Sequence, residues 1–161
     1  MPKLSPQADT EGNAKAALQA MTNRQFLETE KYEEQQWRAN RKGAHFEILL
    51  FEMRLVARMA QLGVPMFAQS VVRDQETQKR VFLEGHSKND GTRAYAHQRA
   101  AADIVHSTRA WDLTRDQWNV IGHVGKEVAK QLGIEIVWGG DWKNPWDPAH
   151  WELKDWRNRS Y

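Results

Sequence analysis

Two stretches of the chain concentrate the side chains that could do chemistry: AHQRAAADIVHS at residues 96–107 and VWGGDWKNPWDPAHWEL at residues 137–153. They hold His97, Asp103, Asp147, His150 and Glu152, in a chain with no cysteine. Any metal must therefore be held by imidazole and carboxylate, a donor set that suits zinc and several other divalent ions. A hydrolytic zinc site needs about three such ligands and an open position for water. Side chains alternate along a strand, so Asp103 shares a face with Val105 while Ile104 and His106 take the other. His150 and Glu152 likewise oppose Trp151 and Leu153. Two neighbouring strands could present Asp103 and His150 to one site, and His97, in the loop before the first strand, can fold over as a third ligand. Spacing alone leaves this open, because a lone histidine beside a strand is more often hydrogen-bonded than metal-bound.

The elements that must position these residues follow from periodicity. His45 to Leu62 carries Ile48, Leu49, Glu52, Leu55, Val56, Met59 and Leu62 at helical spacing, with Gly63 as its stop. Val64 to Val72 reads as a strand, Asp74 caps a short helix through Leu83, and residues 86–96 form a polar loop. Ala101 to Val105 is a strand. Thr114 or Asp116 opens a helix to Leu132 with Trp118, Ile121, Val124, Val128 and Leu132 on one face and Gly133 at its end. Ile134–Trp138 and His150–Leu153 complete a set of short strands. The expected fold is α+β, a small and mostly antiparallel sheet flanked by helices, with a polar N-terminal extension.

That extension, residues 1–42, has few branched aliphatics and a charged run from Glu28 to Lys42. A helix over residues 14–36 is possible there, but its sparse apolar positions predict a tail or partner-docked arm rather than core. Its removal is expected to leave a domain over residues 43–161 folded. The chain's 161 residues, 40% of them hydrophobic, suffice for one compact domain plus such an arm. A formal charge of +2 is spread evenly: residues 1–42 hold seven Lys/Arg against six Asp/Glu, the remainder sixteen against fifteen. No basic block points to nucleic acid, and no apolar run points to a membrane. The start MPKLSPQADTEGNAKAALQA lacks the apolar stretch of a secretory signal, which predicts synthesis in a cytoplasm and action elsewhere only after release or carriage.

Trp138-Gly139-Gly140 followed by Asp147-Pro148-Ala149-His150-Trp151-Glu152, with His97 and Asp103 upstream, resembles the signature of the zinc D-alanyl-D-alanine carboxypeptidase and L-alanyl-D-glutamate endopeptidase family of bacteria and phage endolysins. The resemblance covers roughly residues 44–157. It implies zinc held by His97, Asp103 and His150, with Asp147 as catalytic base. Arg73, followed by Gln78 in SVVRDQETQ, matches the family's arginine and glutamine after the strand and would neutralise the oxyanion. The alternative for Arg73 is an ion pair with Asp74 or Glu76. Glu152 is a candidate to orient an imidazole or bind a substrate amine, against a plain solvated strand residue. The first motif departs from the family pattern Ser-x-His-x-x-Gly-x-Ala-x-Asp. His97 lies six residues before Asp103, one fewer than the pattern, with Tyr95 in place of serine and no intervening glycine.

Eight tryptophans add stacking surface, five of them in the last quarter. Trp142 and Trp146 are the two expected to face substrate. His45, His86, His106 and His123 are expected to be structural. The resemblance implies a peptidoglycan stem peptide as substrate, an endopeptidase in preference to a D,D-carboxypeptidase, and a phage setting. There the protein acts at the cell wall as an endolysin or particle-borne lysin, with residues 1–42 available to phage structural proteins. The alternative is a structural or wall-binding phage particle protein that keeps the fold with weak or no catalysis.

Overall fold

A computed structural model describes residues 6–159, with side chains from residue 12 onward. Helices α1 (Pro6–Met21), α2 (Glu30–Arg38) and α3 (Phe46–Gln61) precede strand β1 (Met66–Ser70) and helix α4 (Gln75–Leu83). Then come β2 (Ala101–His106), α5 (Arg115–Leu132), β3 (Ile136–Trp138) and β4 (His150–Leu153). The four strands form one antiparallel sheet in the order β1-β2-β4-β3. The α+β expectation is met. Among the described residues no helix is long and apolar enough to cross a membrane.

Local sequence explains the boundaries. Thr114 and Gln117 form a reciprocal capping box at the start of α5, and Gly133 ends it in the left-handed conformation at φ 69°. Asp74 caps α4 by accepting from the Thr77 amide, and His45 caps α3 through its ring. Strand β1 is shorter than the expected 64–72, because Val71 to Arg73 leave the sheet to meet the turn at His97.

α3 and α5 cover one face of the sheet, with Phe51, Leu55, Ile121 and Trp118 packed beneath them. Ile104, Trp151 and Leu153 point into this layer and are fully buried. Trp151 lies over Gly125, where any Cβ would overlap its indole. Gly125→Ala is therefore expected to destabilise the protein by about 1–3 kcal/mol from overpacking, despite the ~1 kcal/mol that alanine gains over glycine inside a helix. A calorimetric melt at or above the wild-type midpoint would refute this.

The N-terminal segment departs from expectation. The helix over 14–36 is split at residues 22–29, where Asn23 accepts from the Phe26 amide and Thr29 caps α2. Two of its apolar side chains turn inward: Met21 is in the core and Ala17 is buried, with α1 packed on α5. Gln36 donates to the Met66 carbonyl on the outer edge of β1, Gln35 to the Ser107 carbonyl, and the Val72 amide to the Asn40 carbonyl. His106 accepts the Thr108 and Arg109 amides on Nδ1, so Nε2–H donates to the Met21 carbonyl at 2.9 Å. Low apolar density hid this because two buried side chains and a few polar contacts are enough to seat the segment. Deleting residues 1–42 is expected to lower Tm by roughly 10 °C or more, given the usual cost of emptying one large buried site and the Tm sensitivity of a domain this size. An unchanged melting transition would show the segment to be a free arm.

Candidate functional site

The site lies on the sheet face opposite α3 and α5. Asp103 on β2 and His150 on β4 are directly paired in register, as their strand parity required. A register shift in β1 between Ala68 and Ser70 brings Ser70 opposite Asp103. His97 sits in a single turn of 3-10 helix, Ala96–Gln98, docked by reciprocal bonds. Its Nδ1–H donates to the Val71 carbonyl at 2.8 Å, and the Arg73 amide donates to the His97 carbonyl at 2.8 Å. Tyr95, in place of the family's serine, is buried and donates its hydroxyl to the Arg73 carbonyl at 2.9 Å. The loop that is one residue short thus still brings His97 to Asp103.

One buried group results: donor atoms of His97, Asp103 and His150 all lie within 4.8 Å of one another. Asp103 Oδ1 is 3.2 Å from His97 Nε2 and 3.1 Å from His150 Nδ1. A tetrahedral zinc shell sets its donors about 3.3 Å apart, so modest closure would suffice. With His97 Nδ1 turned to Val71, its buried Nε2 is left without a hydrogen-bond partner and faces the Asp103 carboxylate. A cation between them satisfies both. The other nitrogen of His150 meets Glu152 Oε1 at 2.7 Å, and Glu152 Oε2 accepts from Trp156 Nε1 at 2.8 Å. Burial alone would lower the His150 pKa, but its hydrogen bonds to Asp103 and Glu152 raise it to about 10. Burial alone would raise Asp103; the charge of His97 and the hydrogen bond of His150 hold it well below the usual carboxylate range. The donor set therefore fits a metal ion, which would take the place of the His150 proton between the two ligands.

Asp147 stands on a turn clasped from within its own motif. Trp138 Nε1 donates to the Pro148 carbonyl at 2.7 Å, and the Asp147 amide donates to the Gly139 carbonyl at 3.0 Å. A Cβ at Gly139 would strike the Asp147 carbonyl, which is why glycine stands there. The Trp-Gly part of the motif is thus scaffold for the Asp147–His150 turn. Burial, then the nearby charge of Asp103, pushes the Asp147 carboxyl up from its ordinary value.

Arg73 pairs with neither Asp74 nor Glu76. It donates to Asp103 Oδ2 at 2.9 Å and to Ser70 Oγ and Gln78 Oε1 at 3.3 and 3.4 Å. Gln78 is buried and passes its amide hydrogens to Ser87 Oγ and the Asn89 carbonyl, both at 2.9 Å. Two recesses meet at Arg73 and Asp147: a cleft of about 650 Å³ that also holds His97, His150 and Glu152, and one of about 570 Å³ reaching Asp103. Trp142 lines the first, its ring 5.2 Å from that of His150; Trp146 lines the second, with Arg115 over its ring at 4.4 Å.

His86, expected to be structural, is exposed and lines both recesses. His45 and His106 are structural, and His123 lies exposed beside Glu127. Sequence reasoning missed Trp111, Trp156 and the basic rim of the first cleft. Only the basic composition of residues 86–94 hinted at that rim.

An α+β sheet thus pairs two strands to bring together a His-Asp-His group that could hold a metal ion, beside a carboxylate at a cleft junction. Among solved structures, the chain is similar to the crystal structure of Serratia marcescens L-Ala D-Glu endopeptidase ChiX, with a TM-score of 0.58 and 25% sequence identity. The match covers 78% of this chain and 88% of that one. No protein-family model and no curated protein sequence matches the chain.

Proposed function

We propose that the chain is a zinc-dependent peptidase that cuts a stem-peptide bond of bacterial peptidoglycan, as an endopeptidase at the L-alanyl-D-glutamate position. The observation that carries this reading is the convergence of His97, Asp103 and His150 on one buried point beside Asp147, where two recesses join. Similarity to ChiX, whose name gives that bond, supports the choice of substrate.

His97 through Nε2, His150 through Nδ1 and Asp103 would hold the ion. When bound, zinc supplies Lewis-acid activation of water near neutral pH. Asp147 accepts the proton of the attacking water and returns it to the leaving amine; its raised pKa suits a group that must do both. Arg73, at the junction, steadies the developing oxyanion while its bond to Asp103 Oδ2 orients that carboxylate. Glu152 fixes the His150 tautomer so that Nδ1 faces the site. Trp142 lies beside His150 on the wall along which the peptide lies.

For the setting, the motif resemblance supports a phage endolysin or particle-borne lysin acting at the cell wall. Trp37 on α2, 79% exposed, is the most exposed large apolar side chain among the described residues and is the contact offered to phage structural proteins. Elemental analysis together with mass spectrometry of products from purified cell walls tests the proposal. One zinc per chain and new glutamate amino termini are expected. Absence of metal after zinc reconstitution, or walls left intact by the loaded protein, would overturn it.

A further inference from the structure

The two recesses differ in charge. Beyond Arg73, the smaller one is lined by Val81, Trp111, Pro145 and Trp146 and carries no other lysine or arginine. The larger cleft carries three further cations, Lys88, Arg93 and Arg157. All three are exposed, and among the described residues none has a carboxylate within ion-pair distance. Asp90, the acid whose ionisation Arg93 favours, turns its carboxylate to Thr92 at 2.6 Å. Glu152, the acid within the cleft beside Asp147, is engaged by His150 and Trp156.

The rim is also held in place. Gln78, buried beneath it, bonds Ser87 and Asn89 on either side of Lys88. Asn89 reaches forward to the Ala94 carbonyl at 3.0 Å, next to Arg93, and Gln75 bonds the Gly91 carbonyl at 3.1 Å. Gly91, at φ 92°, takes a backbone conformation that favours glycine, and a Cβ there would come within 3.0 Å of the Gln75 carbonyl. Arg157 comes from the far wall, its guanidinium stacked 4.3 Å over Trp156, the indole that holds Glu152. Cations that no carboxylate meets in a direct ion pair, continuous with the cleft that holds His97 and His150, complement an anionic ligand.

We propose that Lys88, Arg93 and Arg157 form a carboxylate-reading arm, so that the peptide on the leaving side of the scissile bond is selected for a free carboxylate. This rests on the functional reading above. In a γ-linked glutamate the α-carboxylate is free in some stem peptides and amidated in others, and it lies beside the newly released amine. The arm favours the first kind.

The test uses the zinc-loaded full chain and two synthetic peptides, acetyl-L-Ala-γ-D-Glu-L-Lys-D-Ala amide with the glutamate α-carboxylate either free or amidated. The free form is expected to have the higher kcat/KM, by roughly tenfold for a few exposed charge contacts, and the ratio should shrink in 0.5 M NaCl. In the triple variant Lys88→Gln, Arg93→Gln, Arg157→Gln the ratio should fall towards one. Cleavage of both peptides at equal rates by the wild type, or an unchanged ratio in the variant, overturns the arm and leaves the peptidase reading standing. Cleavage of neither overturns the peptidase reading, and the arm with it.

Discussion

Asp147→Asn is expected to keep the metal and lose turnover by about 10²–10⁴-fold, the usual contribution of a positioned general base. Asp147 is no member of the group of donors within 4.8 Å, so its loss removes no ligand. The asparagine fills the same space. It also removes a partly buried acid whose ionisation is opposed by burial and by Asp103, so the melting temperature should not fall. Metal analysis and single-turnover hydrolysis on the same sample read both quantities. Retention of most activity would shift the role of base to Glu152, which would first have to leave His150 and Trp156.

Insertion of one glycine after Arg99, restoring the spacing of the family pattern, is expected to cost about a hundredfold in hydrolysis and to weaken metal binding along with it. An ångström of misplacement at a reacting centre has that effect. The short loop is bound on every side. The Ala100 amide donates to the Ala96 carbonyl at 2.8 Å, and the Arg99 carbonyl accepts from the His45 amide at 2.8 Å. His97 and Tyr95 are tied to Val71 and Arg73. Ala100, Ala101 and Ala102 are fully buried, so an added residue has nowhere to go without moving His97. Isothermal titration with zinc and a wall-digestion assay read the outcome. A joint gain in affinity and hydrolysis would mean that the present spacing is a decayed site, and would favour a structural particle protein that has kept the fold.

Much of this arrangement was legible in the chain because it depends on short-range rules. The period-2 alternation at Asp103 and His150 put both on one face, and the sheet then paired them in register. The capping pair Thr114 and Gln117 and the stop at Gly133 marked α5 in advance. The fate of the N-terminal segment could not be read the same way, since Met21 and Gln36 act on partners 85 and 30 residues away. Arg73 was legible as a type but not in its partner: Asp103, 30 residues on, is nearer to it than the acids beside it in sequence. The basic rim escaped because its cations come from two separate stretches, around residue 90 and at residue 157, and only the closed cleft unites them.

The clasp between Trp138 and Pro148 also sets an order of assembly. It spans 10 residues, whereas Asp103 and His150 are 47 apart, and closing a short loop costs less entropy than closing a long one. As the chain folds, the turn carrying Asp147 and His150 can form from its own neighbourhood and wait for β2 to arrive. The His97-Asp103-His150 group, by contrast, needs the long closure that brings Asp103 across to His150. A newly made chain would therefore carry its proton-transfer half before it can grip a metal, and tight metal uptake would report that closure.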